Sequence, residues 1–408
     1  MSTETVDTVI VGGGQAGLAM SAHLRAAGVD HVVFERERIA ERWRTARWDG
    51  LVANGPAWHD RFPAKTFDID GDAFATKDEV VRYFEQFAEE IDAPVRTGVE
   101  VARVERDGDG RYAVTTSAGD WRARHVVVAT GPFQQPVIPP VIPPEAPVTQ
   151  LHSHAYRNPE QLDDGAVLVV GSGSSGAQIA DELLRAGRDV HLSIGPHDRP
   201  PRQYRGKDFV WWLGVLGKWQ MKTPEAGREH VTIAVSGAYG GRTIDFREFA
   251  ERGMHLYGMT SGYAGGCVSF ADDLADTLAA GDANLVSLLR EADAYVDAHG
   301  TDLPPEPDAH RIGPLPAAAM ARVRSLDLAA AGIRTVLWAT GYVQRFDWLA
   351  VDAAFDAKGK PAHSRGVSTA AGVFFLGLPW LSMRGSSFIW GVWEDAAYLA
   401  EQIARSGR

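Results

Sequence analysis

Thr8-Val9-Ile10-Val11-Gly12-Gly13-Gly14-Gln15-Ala16-Gly17 is the stretch that decides the architecture. Its apolar start reads as a strand buried on both faces. After the glycines, Leu18 to Ala27 form an Ala-rich helix ending near Gly28, and Val32-Val33-Phe34-Glu35 form a second apolar strand, which completes a βαβ unit. In such a unit Gly12 makes the tight turn, Gly14 lets the backbone approach a pyrophosphate, and Gly17 lets helix and strand pack closely. The phosphate rests on the positive end of the helix. Glu35 ends the second strand, where an acid holds a ribose hydroxyl pair. Strand, turn, helix and acid together predict a dinucleotide site, whereas a glycine triad alone would be an ordinary turn.

A near copy follows. Ala166 to Val170 read as a strand, Gly171-Ser172-Gly173-Ser174-Ser175-Gly176 as the turn, Ala177 to Ala186 as a helix ended by Gly187, and Val190 to Ser193 as the next strand. Where the first unit has Glu35, this one has Ser193, so no carboxylate repels a ribose 2′-phosphate. Arg199, Arg202, Arg205 and Lys207 follow closely and are candidates to bind that phosphate, with a solvated basic loop as the plainer reading of any one of them. The two sites together fit FAD and NADPH, hydride passing from nicotinamide to flavin. Cys267 is the one cysteine, so a dithiol relay is excluded and electrons must leave the flavin for oxygen, a one-electron partner or an organic acceptor.

The length of 408 residues suggests two or three domains, and a net charge of −12 argues against nucleic acid as a partner. No apolar run approaches the ~20 residues of a membrane span, and Met1 to Asp7 lack a basic leader, so a cytoplasmic protein is expected. Val99–Val104 and Tyr112–Thr116 predict a hairpin, Pro132–Pro147 an extended linker, Thr335–Trp338 a strand, and about Ile389–Arg405 an amphipathic helix. The glycine-rich stretches 237–241 and 262–266 read as loops. His152-Ser153-His154 has no supporting Cys or His cluster, so no metal site is expected.

Taken in order, Gly12–Gly17, Trp43-Arg44 before Trp48-Asp49, Ala129-Thr130-Gly131, His152-x-x-x-Tyr156, Gly171–Gly176 and Trp338-Ala339-Thr340-Gly341-Tyr342 resemble the class B flavoprotein monooxygenases. This group includes flavin-containing and indole-3-pyruvate monooxygenases. Arg205-Gly206-Lys207-Asp208, Trp211-Trp212 and Gly377-Leu378-Pro379-Trp380 look closest to its bacterial CzcO-like branch. The resemblance implies an α/β fold of two Rossmann-like domains, an NADPH domain (161–319) inserted into an FAD domain (1–160 and 320–408). It implies FAD and NADPH contacts at Gln15, Ala16, Arg36, Arg42, Trp43, Val101, Thr130, Gly131, Thr340, Gly341 and Gly377, besides those of the two glycine turns, Ser174 and Ser175 among them.

The activity it implies is oxygenation of a small organic, aromatic or N/S-containing substrate by O2, through a C4a-(hydro)peroxyflavin. The alternative is an NADPH-dependent reductase or oxidase without oxygen transfer. Asn54, in Leu51-Val52-Ala53-Asn54-Gly55-Pro56, aligns with the family's active-site Asn, whose amide donates to the oxygen adduct; a turn residue is the other reading. Trp380 and Trp390 are the candidate substrate-pocket residues. The family fingerprint FxGxxxHxxx(Y/W) is half present: Ala146 and Val148 replace its Phe and Gly, and Tyr156 argues against a Baeyer–Villiger enzyme. A homo-oligomer is left open.

Overall fold

The computed structural model describes residues 3–222 and 232–406. The first sheet grows from β1 (Glu4–Val11), β2 (His31–Glu35), β3 (Val95–Thr97), β4 (Val101–Arg106), β5 (Tyr112–Thr116) and β6 (Gly119–Val128), in the spatial order β4-β5-β6-β1-β2-β3. β1 lies parallel to both neighbours, with Ile10 opposite Val33 on one side and Val127 on the other. All three are fully buried, which explains why β1 reads as a continuous apolar run rather than an alternating one. The predicted hairpin is present as β4 and β5, and it extends into β6 as a three-stranded antiparallel meander.

The end of the chain closes this same sheet. The strand Val373–Phe375 pairs parallel to β6, Phe374 opposite Val127, and the helix Ile389–Ser406 then packs against the helix Gln15–Ala26. Val392, Ala396, Leu399 and Ile403 recur at helical spacing and are buried. Trimming Leu399 to Ala there would cost about 2–5 kcal/mol.

The second sheet is wholly parallel. Its order is the strand His255–Tyr257, β10 (Val190–Ser193), β9 (Ala166–Val170), the strand Ile333–Trp338 and β8 (Thr149–His152). Thr335–Trp338 and β8 therefore belong to the inserted unit. The crossings between the sheets fall between Val128 and Thr149 and between Trp338 and Leu349, rather than at 160 and 320. Ile333–Trp338 covers the far edge of β9, and β8 covers the far edge of Ile333–Trp338.

The two crossings are fastened to each other. β7 (Gln135–Pro136), the paired part of the expected linker, runs antiparallel to Tyr342–Val343. Thr340 Oγ1 donates to the Val137 carbonyl at 2.5 Å. His152 Nε2 donates to the Gly341 carbonyl at 3.0 Å while Nδ1 accepts from the His154 amide at 3.0 Å. Both ring nitrogens are thus used, and burial holds the His152 pKa below its ordinary value. Tyr156 Oη donates to Glu182 Oε2 at 2.7 Å, so the two surviving fingerprint residues serve to join elements.

Candidate active site

At the first glycine turn Gly12 has φ +112°, and a Cβ there would lie 2.5 Å from the Ala129 carbonyl oxygen. A Cβ on Gly17 would lie 1.9 Å from Gly12 O, so the helix sits against the turn as closely as backbone allows. A Cβ on Gly14 would meet nothing within 4 Å among the described residues. This leaves a cradle of amides at a helix N-terminus into which a pyrophosphate fits. Glu35 accepts from the amides of Gly13 at 2.7 Å and Glu37 at 3.0 Å, fixing the carboxylate beside the turn with lone pairs to spare. Arg36 is exposed, 3.6 Å from Glu37.

The C-terminal loop closes over this turn. Gln15 Nε2 donates to Ser387 O at 2.8 Å, and a Cβ on Gly377 would lie 2.8 Å from the Ala16 Cβ. Gln134 draws the first crossing together: it donates to Thr130 Oγ1 at 2.9 Å and to Gly131 O at 2.8 Å, and its carbonyl accepts from Arg42 at 3.3 Å. Trp43 packs against both main apolar cores. Val101 is buried at the start of β4.

The second turn has the same backbone. Gly171 has φ +109°, and a Cβ on Gly176 would lie 1.8 Å from Gly171 O. Its middle differs: a Cβ on Gly173 would meet Thr232 Cγ2 at 3.0 Å, and Ser174 Oγ donates to Ile233 O at 2.7 Å. A side chain at Gly173 would therefore crowd Thr232 as well as any pyrophosphate. Ser175 follows Ser174 in the first turn of the helix Ser174–Arg185.

The expected phosphate-binding arginines are not on a solvated loop. Arg199 is 4% exposed and bonds Asp282 at 2.9 Å, Asp245 lies 3.3 Å away, and Arg247 shares Asp282. Arg202, 2% exposed, bonds Asp208 at 2.5 Å between the rings of Phe74 and Phe209 and donates to Asn54 O at 2.6 Å. Buried guanidinium groups require carboxylates, and these have theirs within the protein. Arg205 is likewise paired, with Asp293 at 2.7 Å. Ser193 is buried; its hydroxyl donates to Gly258 O and accepts from the amide and hydroxyl of Thr260. What Ser193 contributes is the absence of a carboxylate.

Asn54 stands where the two units meet. Gln178, on the helix of the second turn, donates from Nε2 to Asn54 Oδ1 at 2.8 Å and to Val235 O at 2.6 Å. A backbone carbonyl only accepts, so Val235 fixes which end of Gln178 is the NH2, and Gln178 in turn fixes which end of Asn54 is the oxygen. Asn54 is left with its Nδ2 donors to offer. A residue chosen for a local turn would bond to its neighbours; this one bonds 124 positions away.

Sequence reasoning missed His59, which no motif marked. Its ring lies 5.5 Å from Trp219, 5.6 Å from Trp390 and 5.5 Å from Trp58, and Nδ1 bonds Asp60, which also accepts from the Gly55 amide. His59 Nε2 and Trp390 Nε1 are both buried without a hydrogen-bond partner among the described residues. Arg384 lies over Trp219 at 5.9 Å and makes no ion pair among the described residues. Trp380, nearly buried, adopts φ +57°, a strained conformation for so large a side chain. The four rings pack on one another as an apolar cluster that encloses these two polar atoms.

His152-Ser153-His154 is not a ligand set, since His152 is fully used, but Asp189, His191 and His255 bring ligand atoms within 4.8 Å of one another.

Two glycine turns, an acid at the end of β2 and a single cysteine on two fastened sheets define a flavin- and pyridine-nucleotide-dependent oxidoreductase. Residues 9–213 match the pyridine nucleotide-disulphide oxidoreductase family, and the chain belongs to it, within the class B flavoprotein monooxygenases. It is similar to the uncharacterised CzcO-like oxidoreductase of Geobacillus kaustophilus, 32% identical over 402 residues and 98% of each chain. Indole-3-pyruvate monooxygenase YUCCA1 of Oryza sativa subsp. japonica is 34% identical over 190 residues, 46% of this chain and 47% of that one. The fold matches the flavin-containing monooxygenase from Stenotrophomonas maltophilia over the whole of both chains, at a TM-score of 0.69 and 20% identity. Among the described residues, no helix is long and apolar enough to cross a membrane.

Proposed function

We propose that the chain is a cytoplasmic FAD- and NADPH-dependent monooxygenase that transfers one atom of O2 to a small aromatic or N/S-containing substrate. The observation that carries this reading is the Gln178-registered amide of Asn54, a preorganised donor at the junction of the two nucleotide units. Bound FAD, once reduced, supplies the oxygen activation. The chain's own residues do the rest. The amides around Gly12–Gly17 and the Glu35 carboxylate hold the dinucleotide, and the second turn holds the coenzyme. Ser193 puts no negative charge near a 2′-phosphate, which favours NADPH. Asn54 Nδ2 donates to developing negative charge on oxygen, and the His59, Trp219 and Trp390 rings keep water from it and seat the substrate.

A second reading, an NADPH-dependent reductase or oxidase, draws on the same turns and on a family name that includes disulphide oxidoreductases. With Cys267 as the one cysteine, that reading ends in hydrogen peroxide or an external acceptor. Rapid mixing of the NADPH-reduced protein with O2, with and without NADP⁺, tests the proposal: a flavin absorbance phase between reduced and oxidised forms that NADP⁺ prolongs supports it. Direct reoxidation with stoichiometric peroxide, whatever the substrate offered, refutes it.

A further inference from the structure

We propose that Asp189, His191 and His255 form a binding site for a divalent transition-metal ion of the Zn²⁺ type at the edge of the second sheet. Parallel pairing sets His191 directly opposite His255, and the two imidazoles stack with centroids 4.4 Å apart and planes within 17°. Asp189 precedes His191 by two positions, the strand period, and so shares its face. Its carboxylate spans both rings: one oxygen lies 3.2 Å from His255 Nε2 and the other 3.8 Å from His191 Nε2.

The second observation is His191 itself. It is 4% exposed, and its Nε2 is buried with no hydrogen-bond partner among the described residues. Leaving such a nitrogen unsatisfied is costly, and a ligand there removes the cost. Its Nδ1 lies 2.8 Å from Tyr257 Oη. When Nδ1–H donates to that oxygen, the Nε2 lone pair is directed at the carboxylate, the outer-sphere arrangement that orients metal-binding histidines.

Two imidazole nitrogens and one carboxylate oxygen are a borderline-soft donor set, with water completing the sphere. His255 and Asp189 are about half exposed, so they are free to close the present separations upon an ion. Bound there, the ion would fasten the strand His255–Tyr257 to β10.

The test is a Zn²⁺ titration of chelator-stripped, FAD-loaded protein by calorimetry, with thermal melts in parallel. One Zn²⁺ per chain is expected, with a rise in Tm. His255→Ala and Asp189→Asn, both at partly exposed positions, should each weaken that binding by about tenfold or more and abolish the rise, leaving FAD content unchanged. Tyr257→Phe should weaken it about 10- to 100-fold. Binding of the same stoichiometry and affinity in His255→Ala and Asp189→Asn, or no binding to the parent protein at micromolar Zn²⁺, would overturn the proposal.

Discussion

If the Asn54 amide works by donating to oxygen, then Gln178 matters only by keeping it the right way round, and the two residues should fail by very different amounts. Gln178→Met keeps most of the volume and removes the bonds to Asn54 Oδ1 at 2.8 Å and Val235 O at 2.6 Å. One neutral hydrogen bond is worth about 1 kcal/mol, which at room temperature favours the productive orientation of Asn54 about fivefold, or roughly 85% of molecules. Without it the two orientations equalise at about 50%, and coupling should fall less than about twofold. Stability should fall by about 1–3 kcal/mol, because Val235 O is left unsatisfied. Asn54→Ala removes the donor in every molecule, a loss of about 2.7–4 kcal/mol or ~100- to 1000-fold in the step it serves. The assay is peroxide formed per NADPH consumed, beside the rate of flavin reduction, which neither change should alter. A well-folded, FAD-loaded Asn54→Ala protein with unchanged coupling refutes the reasoning. So does a Gln178→Met protein as uncoupled as Asn54→Ala.

Glu35→Gln discharges the group held by the Gly13 and Glu37 amides. A charge-assisted bond is worth about 1.5–3 kcal/mol, so FAD should bind about 10- to 100-fold more weakly in fluorescence titrations of the apoprotein. Arg199→Ala breaks a buried pair with Asp282, a change that costs about 3–5 kcal/mol. Tm should drop while the ratio of KM values for NADPH and NADH stays constant; a selective rise for NADPH would return Arg199 to a coenzyme role. Burial and the charges of Arg42, Arg157 and Arg47 lower the His154 pKa from 6.5 to about 4. The unfolded chain therefore binds the extra proton first, and stability from this residue declines as pH falls from about 6.5 toward 4. His154→Asn should flatten that part of the profile in urea melts at graded pH.

The glycine turns were legible because their demands are local. Gly12 and Gly17 are dictated by backbone atoms a few residues away or in the adjoining strand, and Glu35 by its place at the end of β2. The arginines were not legible. Arg199 finds Asp282 and Arg205 finds Asp293 more than eighty positions later, and only tertiary packing turns an apparently basic loop into internal ion pairs. Gln178 carried no signal either, since a polar residue on a helix reads as solvent-facing until Val235 and Asn54 are brought against it. His59 lay beside a recognised segment, but its Trp219 and Trp390 neighbours arrive from distant parts of the chain.

Pairing of Gln135–Pro136 with Tyr342–Val343 has a consequence for how such a chain can be rearranged. Antiparallel partners stand about 5 Å apart, so everything between them enters and leaves through one doorway. A segment with adjoining ends can be excised, or exchanged for a homologous one, without stretching the body it came from. Transplanting residues 137–341 between relatives is then a two-junction graft, and the half of the molecule built on the second sheet becomes a cassette whose exchange leaves the strands around β1 and β6 uncut.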